Sequence, residues 1–232
     1  MDDIESLKRR AGESAAALVR SDTVVGLGTG STACHTIAAI GRALADGSLR
    51  GVTGVATSVA SERLAREAGI PLVELGPDGV DLAIDGADEI DPSLDAIKGL
   101  GAAMTREKVV AAAARRFVLV ADGSKRVALL GERAPVPVEL LAFGWRRTAA
   151  ALAALGCEPR LRGGEAAPVR TDNGHPVLDC HVAAGFDAAA FAAALDALPG
   201  VVGHGLFLGL ARTAFIAEAG GVTRLERDGV TS

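Results

Sequence analysis

Cysteine is scarce in this 232-residue sequence and is not spaced to hold a metal. The three cysteines, Cys34, Cys157 and Cys180, are isolated, odd in number and lack CxxC spacing. Such residues are typical of free, mostly buried thiols in a reducing cytosol. The four histidines form no pair with metal-ligand spacing, and Cys34 and His35, as neighbours on a predicted helix, point apart. The sequence therefore predicts no metal site at these residues.

Long apolar runs and an excess of positive charge are also missing. No run approaches the roughly 20 residues that a membrane-spanning helix needs, and the charged start, MDDIESLKRR, is unlike a secretory signal. The formal net charge of -5 argues against broad nucleic-acid binding. We therefore expect a cytoplasmic globular protein that binds neither membrane nor nucleic acid.

Short apolar segments alternate with helix-like segments through the first 125 residues. Strands are predicted over 23–27, 52–56, 72–75, 80–84 and 117–121. Helices are predicted over 2–20, 33–45, 59–68 and 102–115. Such alternation with short connections is typical of a mostly parallel sheet. The predicted fold class is α/β, with a Rossmann-like, mostly parallel sheet that has helices on both faces.

The pattern changes near residue 131. Residues 131–137, GERAPVP, carry two prolines and are interpreted as a linker or an entry turn. Helices are then predicted over 144–155 and 187–197, and strands over 157–161, 167–171, 176–182 and 200–207. The DNG sequence at 172–174 is typical of a hairpin turn. These segments predict a smaller α+β domain, an antiparallel sheet with two helices.

The end of the chain is expected to rejoin the first domain. Two further apolar runs, 213–217 and 222–225, follow the small domain, and chain ends often lie close together. The predicted α/β catalytic domain therefore comprises residues 1–130 and 206–232, and the small α+β domain comprises 131–205.

The first candidate site is GTGST, residues 28–32, between a predicted strand and a helix. Glycines allow a sharp turn and a close approach to a ligand, and the amides at a helix N-terminus attract anions. The alternative is a tight turn in which Ser31 or Thr32 caps the helix. The segment is neither a GxGxxG dinucleotide fingerprint nor a P-loop, since no GK[ST] follows.

The second candidate site is DGADE, residues 85–89, directly after a buried strand. Ligands of open α/β sheets bind at the carboxyl ends of strands, and buried acids are costly unless paired or solvated. Three interpretations stay open: a hard-cation site, acid/base work on hydroxyl groups, or a solvated acidic turn. Gly86 and Ala87 add little bulk, which favours a ligand between the acids.

Two more segments carry positive charge near predicted strand ends. Lys98 stands beside a glycine-containing turn, a combination of charge and amides that stabilises an oxyanion. Glu107 follows early in a helix, where a dipole contact or an i,i+4 pair is the alternative to catalysis. Lys125 lies in DGSK, residues 122–125, which is otherwise a simple turn.

The four segments are expected to meet at one edge of the predicted sheet. They would supply an anion cradle, two carboxylates, two lysines and a glutamate. Moving a proton α to a carbonyl requires a base at the carbon, polarisation of the carbonyl and proton transfer at the hydroxyls. The set therefore predicts such chemistry on a phosphorylated small molecule.

The combined motifs resemble one family over nearly the whole chain. They are GLGTGST (26–32), DGADEI (85–90), KGLGAAMTREK (98–108), ADGSK (121–125), PVPVEL (135–140), TDNGHPVLD (171–179) and PGVVGHGLF (199–207). Together they resemble ribose-5-phosphate isomerase type A. The resemblance implies interconversion of D-ribose 5-phosphate and D-ribulose 5-phosphate through a cis-enediol(ate), in the non-oxidative branch of the pentose phosphate pathway. It also implies no metal or organic cofactor, and a homodimer or homotetramer.

The resemblance also implies roles for individual residues. Glu107 would be the base at carbon, and Asp85 would serve the hydroxyls and ring opening. Asp88 would orient the sugar, and Lys98 with the amides of residues 99–101 would stabilise the enediolate. The implied substrate-binding residues are Lys8, Thr29, Gly30, Ser31, Thr32, Asp85, Gly86, Ala87, Asp88, Lys98, Gly99, Leu100, Gly101 and Lys125. Of these, Lys8 and Lys125 would lie at the phosphate.

One residue departs from the family pattern. The family usually has KGGG where this chain has KGLG, so we predict that Leu100 has a negative φ and a side chain that points away from the sugar.

Two other functions are considered. An amino-sugar-phosphate isomerase/deaminase would need a different acid/base set. A sugar-phosphate-sensing domain would have no use for Glu107 and would usually carry a DNA-binding domain.

Overall fold

The computed structural model describes residues 3–227. Its strands are β1 (Val24–Leu27), β2 (Thr53–Ala56), β3 (Leu82–Gly86), β4 (Glu89–Ile90), β5 (Ala96–Ile97), β6 (Phe117–Asp122), β7 (Val136–Leu140), β8 (Glu158–Leu161), β9 (Val177–His181), β10 (Val201–His204), β11 (Leu206–Phe207), β12 (Ala211–Glu218) and β13 (Gly221–Glu226). Its α-helices are α1 (Ile4–Ala16), α2 (Ala33–Ala45), α3 (Val59–Glu67), α4 (Met104–Ala112), α5 (Trp145–Ala154) and α6 (Ala188–Asp196), and a 3₁₀ turn spans Gly123–Lys125.

The chain forms two compact units. The first comprises Met1–Ala87, Arg106–Lys125 and Gly209–Ser232. Its six-stranded sheet has the order β13-β12-β6-β3-β1-β2, and only β13 pairs antiparallel with its neighbour. All six residues of β6 are buried, as expected for an apolar strand in the interior of a parallel sheet. The predicted α/β fold with a mostly parallel sheet is confirmed.

The second unit comprises Asp88–Thr105 and Arg126–Leu208. A four-stranded antiparallel sheet in the order β10-β7-β9-β8 packs with α5 and α6, as predicted for the smaller α+β part. A three-stranded sheet, β11-β5-β4, was not predicted. Its strands are two residues long, which is too short to show a period in the sequence.

The interpretation of residues 131–137 as a linker is wrong for its last two residues. Val136 and Pro137 begin β7, which pairs with β9 on one side and β10 on the other. Proline normally argues against a central strand because it lacks the N–H donor. Here the carbonyl oxygen of Pro137 still accepts a hydrogen bond from Gly205 N–H at 2.7 Å. The strand therefore keeps an acceptor where it has no donor.

Two predicted strands are reduced to single bridges. Residues 72–75 make one parallel bridge, Leu72 to Gly54, and residues 167–171 make one antiparallel bridge, Arg170 to Pro176. The predicted DNG hairpin turn is present: Thr171 N–H donates to the His175 carbonyl oxygen at 2.9 Å. Both apolar segments are thus extended, but few of their backbone groups join a ladder.

The packing units and the predicted domains have different boundaries. Residues Asp88–Thr105 cluster with the second unit, whereas the sequence assigned them to the catalytic domain of 1–130 and 206–232. The ends of that predicted domain, and the first residue of the helix predicted over 2–20, lie outside the described residues. The division into a catalytic and a small domain stays a prediction.

Two properties predicted from composition can be compared with the structure. No helix within residues 3–227 is long and apolar enough to cross a membrane. The three cysteines are free thiols: Cys157 and Cys180 are buried, and Cys34 is half-buried. An S–H contact with Cys157, together with burial, raises the pKa of Cys180. Cys180 therefore stays a thiol at neutral pH.

Gly26 in β1 allows α4 to pack closely on the sheet. A methyl group there would lie 2.5 Å from Val110 Cγ1 and 2.9 Å from Ala83 Cβ. We expect Gly26→Ala to lower the free energy of unfolding by about 1–3 kcal/mol through overpacking, measured by urea unfolding. Gly76→Ala is the control, because a Cβ there meets no described atom within 4 Å. Equal losses in both variants would contradict this packing role.

Candidate active site

The carboxylate of Asp85 lies at the carboxyl end of β3, beside the end of β1. It is 2% exposed, and its Oδ1 accepts hydrogen bonds from Thr29 N–H at 3.0 Å and Gly86 N–H at 2.7 Å. A Cβ at Gly28 would lie 2.4 Å from the same oxygen, so glycine is required for this approach. Because Asp85 is buried, the interpretation of it as a solvated turn residue is wrong.

The hydroxyl of Thr29 is held by two residues that sequence reasoning did not assign to the site. Thr29 Oγ1 lies 2.8 Å from Thr57 Oγ1 and donates to Ser58 Oγ at 2.7 Å. Ser58 is also the N-cap of α3, because its Oγ accepts a hydrogen bond from Ser61 N–H. The sequence signal was the pair of hydroxyl residues directly after β2, but helix capping alone is enough to explain such a pair.

Helix α2 begins directly after the GTGST turn. Gly30 has a φ of +111°, a conformation that favours glycine. Thr32 is the N-cap residue, but its side chain makes no capping hydrogen bond within the described chain. The capped-turn alternative is therefore not supported for Thr32, while the exposed Ser31 and the amides of the first turn suit an anion.

Lys8 lies on α1, close to the start of α2. One turn later on the same helix, the carbonyl oxygen of Gly12 accepts a hydrogen bond from Thr36 Oγ1 at 3.1 Å. Lys8 Nζ is 3.9 Å from Glu5 Oε2. Burial raises the pKa of the Cys34 thiol, Glu5 raises it further, and the charge of Lys8 opposes both. The ammonium group thus reaches the neighbourhood of the turn.

Glu107 lies in the first turn of α4 and is 4% exposed. Val110, one turn further on the same helix face, packs against Gly26 of β1. Helix α4 directly precedes β6, which pairs parallel with β3, so its N-terminus lies toward the carboxyl edge of the sheet. The Glu107 carboxylate is therefore buried at the N-terminal end of α4.

Lys125 ends the 3₁₀ turn after β6 and is half-buried. Asp122, the last residue of β6, accepts a hydrogen bond from Ser124 N–H at 2.9 Å. Within residues 3–227, no carboxylate lies within ion-pair distance of Lys125. The turn therefore fixes the backbone and leaves the ammonium available for an anion.

In the second unit, Lys98 is 2% exposed. Its Nζ lies 5.4 Å from the centroid of the Phe207 ring, and its N–H donates to the Gly205 carbonyl oxygen at 2.8 Å. A cation over an aromatic face gains electrostatic attraction, which is larger when both groups are desolvated. The strands β5 and β11 thereby fix both ends of the lysine.

The turn after Lys98 confirms the φ prediction for Leu100. Gly99 has a φ of +109° and Ala102 one of +58°, whereas Leu100 is not among the described residues with positive φ. Asp88 Oδ2 accepts a hydrogen bond from Leu100 N–H at 2.9 Å. The Leu100 side chain is 46% exposed, so leucine fits here without backbone strain, and its direction relative to a sugar stays a prediction.

Glu89, the last acid of DGADE, has a structural role. It is 0% exposed, and its two oxygens accept hydrogen bonds from the N–H groups of Gly131, Arg133 and Ala134. The carboxylate therefore holds the loop before β7. No group of three or more His, Cys, Asp or Glu side chains within residues 3–227 is arranged to hold a metal ion.

Comparison with known proteins gives concordant results. Residues 53–221 match the family model of ribose 5-phosphate isomerase A (phosphoriboisomerase A). The ribose-5-phosphate isomerase A of Roseiflexus castenholzii is 54% identical over 228 residues, covering 97% of each chain. That of Deinococcus radiodurans is 48% identical over 225 residues, covering 97% of this chain and 100% of the relative.

Solved structures of the same name superpose closely. A D-ribose-5-phosphate isomerase in complex with phospho-erythronic acid has a TM-score of 0.94 at 35% identity, covering 97% of this chain and 100% of that one. The ribose 5-phosphate isomerase A of Methanocaldococcus jannaschii has a TM-score of 0.91 at 37% identity, with the same coverage. The chain is thus an isomerase with an α/β sheet, and the sensing-domain alternative is set aside. It belongs to the ribose-5-phosphate isomerase A family.

We expect Glu89→Gln to lower the free energy of unfolding by about 2–3 kcal/mol. The amide presents one acceptor and an NH₂ group to three backbone donors, and hydrogen bonds to a buried charge are the stronger ones. Thermal and urea unfolding would measure the loss.

Glu132→Gln is the matched control. Glu132 Oε1 also accepts two backbone N–H groups, from Ala128 and Leu129, but at the surface. It should cost less than about 1 kcal/mol, because water replaces an exposed bond. A Glu89 variant as stable as the Glu132 variant would show that the buried carboxylate does not hold the loop.

Proposed function

We propose that this chain interconverts D-ribose 5-phosphate and D-ribulose 5-phosphate by proton transfer between C1 and C2. The observation that carries the proposal is the burial of three charged side chains: Asp85, Lys98 and Glu107 are 2%, 2% and 4% exposed. Desolvating an ionised group is costly, and buried ionisable groups at strand ends are characteristic of catalytic sites. Family membership supplies the substrate class.

Glu107 is the proposed base at carbon. In the open-chain aldose, its carboxylate removes the proton from C2, and the electron pair moves through C1 to O1, which gives a cis-enediolate. The same carboxyl group then returns the proton to C1, while Asp85 carries the hydroxyl proton of O2 to O1, so that O2 becomes the ketone oxygen and O1 a hydroxyl. A base that collects and redelivers one proton must be positioned within hydrogen-bond reach of both carbons.

Lys98 and the adjacent amides are proposed to stabilise the charge on O1. Within the described residues, the N–H groups of Gly99 and Gly101 donate no hydrogen bond to protein, so they are available as oxyanion donors. Preorganised donors of this kind usually make the largest single contribution to catalysis. The ammonium of Lys98 adds a full charge in a desolvated position.

Asp85 is proposed to carry protons at the hydroxyl oxygens. Its Oδ1 is occupied by two backbone donors, which fixes the carboxylate and directs the other oxygen to the substrate. The same group serves ring opening. Asp88 holds the sugar, and residues 29–32 with Lys8 and Lys125 hold the phosphate end, where hydroxyls, helix amides and ammonium groups suit a dianion.

We expect Glu107→Gln to lower kcat by several orders of magnitude while substrate affinity stays within a few-fold. The amide keeps the shape but cannot accept a proton, so only the step at carbon is lost. Turnover of ribose 5-phosphate measures the first quantity. Binding of phospho-erythronic acid, the ligand in a structural relative, measures the second by calorimetry.

Glu62→Gln is the matched control, because Glu62 also lies in the first turn of a helix, α3, but its side chain is 45% exposed and pairs with Arg66. It should leave kcat unchanged. Near-normal turnover by the Glu107 variant would refute the assignment of the base.

Treatment with EDTA should leave the rate of isomerisation unchanged. Lys98 and backbone amides are the proposed source of carbonyl polarisation, so the reaction as proposed needs no cation. The assay compares initial rates with and without the chelator, followed by readdition of Mg²⁺, Mn²⁺ or Zn²⁺. Loss of activity that one of these cations restores would revive the hard-cation interpretation of the DGADE acids.

Three further statements stay predictions of the resemblance. They are a cytoplasmic location, a role in the non-oxidative branch of the pentose phosphate pathway, and assembly as a homodimer or homotetramer. The amino-sugar-phosphate isomerase/deaminase alternative predicts activity on an amino sugar phosphate, and a parallel assay with glucosamine 6-phosphate separates it from the function proposed here.

A further inference from the structure

The turn at Gly99 and Leu100 is held by an arginine that no sequence motif had indicated. Nη1 of Arg162 donates to the Gly99 carbonyl oxygen at 2.9 Å and to the Leu100 carbonyl oxygen at 3.0 Å. All three residues belong to the second unit. One guanidinium nitrogen therefore fixes two consecutive peptide groups.

The guanidinium is itself rigidly placed. Asp179 on β9 accepts hydrogen bonds from Nε at 2.9 Å and from Nη2 at 2.5 Å in a two-point pair. The backbone of Arg162 extends the β8–β9 ladder, because its N–H donates to the Val177 carbonyl oxygen at 3.0 Å. The side chains of Arg162 and Asp179 are only 14% and 18% exposed. Arg162 is thus anchored to a sheet rather than to a loop.

Because a trans peptide is planar, a hydrogen bond to its carbonyl oxygen also fixes the direction of the next residue's N–H. A carbonyl oxygen and the N–H of the next residue lie in one plane and point in opposite directions. Holding the Leu100 carbonyl fixes the N–H of Gly101, and holding the Gly99 carbonyl fixes the N–H of Leu100, which donates to Asp88 Oδ2 at 2.9 Å. A donor on the carbonyl side also polarises the peptide and strengthens its N–H as a donor.

We propose that Arg162 is a positioning residue for catalysis. It aims and polarises the Gly101 amide toward the developing enediolate oxygen, and through the Gly99–Leu100 peptide it orients the Asp88 carboxylate. This inference rests on the proposed isomerase function. It also accounts for the tolerance of leucine in the turn: the backbone at residue 100 is held by hydrogen bonds from outside the turn.

The test compares Arg162→Met with wild type. We expect kcat for ribose 5-phosphate to fall about 10- to 100-fold, less than for a lost direct oxyanion donor because the amide itself remains. KM should change by no more than about 3-fold, and the inhibition constant of phospho-erythronic acid should rise about 10-fold, since its carboxylate presents negative charge as the enediolate does. Thermal unfolding measures the folded fraction in parallel.

Arg160→Met is the matched control. Arg160 lies on β8, two residues before Arg162, and pairs with Glu158, but it does not contact the turn. Arg162→Lys is the second variant: a lysine keeps the charge but cannot pair with Asp179 at two points and also reach both carbonyls. If the methionine variant fails to fold, the lysine variant decides, with an expected loss in kcat of about 10-fold.

Two negative outcomes are distinguishable. If wild type does not turn over ribose 5-phosphate, the proposed function fails. If wild type is active and Glu107→Gln is not, but the folded Arg162 variants keep wild-type kcat and inhibitor affinity, then Arg162 is merely structural and the inference is overturned.

Discussion

The hydrogen bond from Thr29 N–H to Asp85 Oδ1, at 3.0 Å, joins the ends of two neighbouring parallel strands. It requires glycine at residue 28, where any side chain would overlap the aspartate. The Asp85 carboxylate is buried, but its Oδ1 is hydrogen-bonded, and a buried charge is stable only when it is paired or hydrogen-bonded. This contact positions the first residues of the GTGST turn. Through Thr29 Oγ1 it also connects to the hydroxyls of Thr57 and Ser58.

A second constraint operates in the other packing unit, where a cation is buried. Lys98 is held between a strand ladder and the ring of Phe207, and the turn that follows is held through its carbonyl oxygens. In both units, backbone groups hydrogen-bond to charged side chains and hold them in place. Carboxylates accept N–H groups, and a guanidinium donates to carbonyls. Such arrangements need little reorganisation when charge develops in a reaction.

Sequence reasoning recovered the features that carry a local signal. Apolar runs indicated β1, β2, β3 and β6, and glycine-rich or acidic turns indicated the residues at their ends. It failed where the cause is distant in sequence. Pro137 hid a central strand, because a residue without an N–H donor argues against one, although its carbonyl oxygen still accepts from Gly205 N–H. The structural role of Glu89 was not predicted, because its partners lie more than 40 residues away. Arg162 gave no signal, since its acceptors are backbone carbonyls 62 and 63 residues distant.

Leu100 has a practical consequence as a site for a reporter group. Its φ is not in the left-handed region, nearly half of its side chain is in solvent, and the peptide groups on either side are fixed by Arg162 and Asp88. A label attached there would leave the backbone undisturbed. Two of the three native cysteines are buried, which favours selective attachment at a new thiol. Fluorescence from residue 100 would then follow occupancy of the proposed substrate site in real time, independently of turnover.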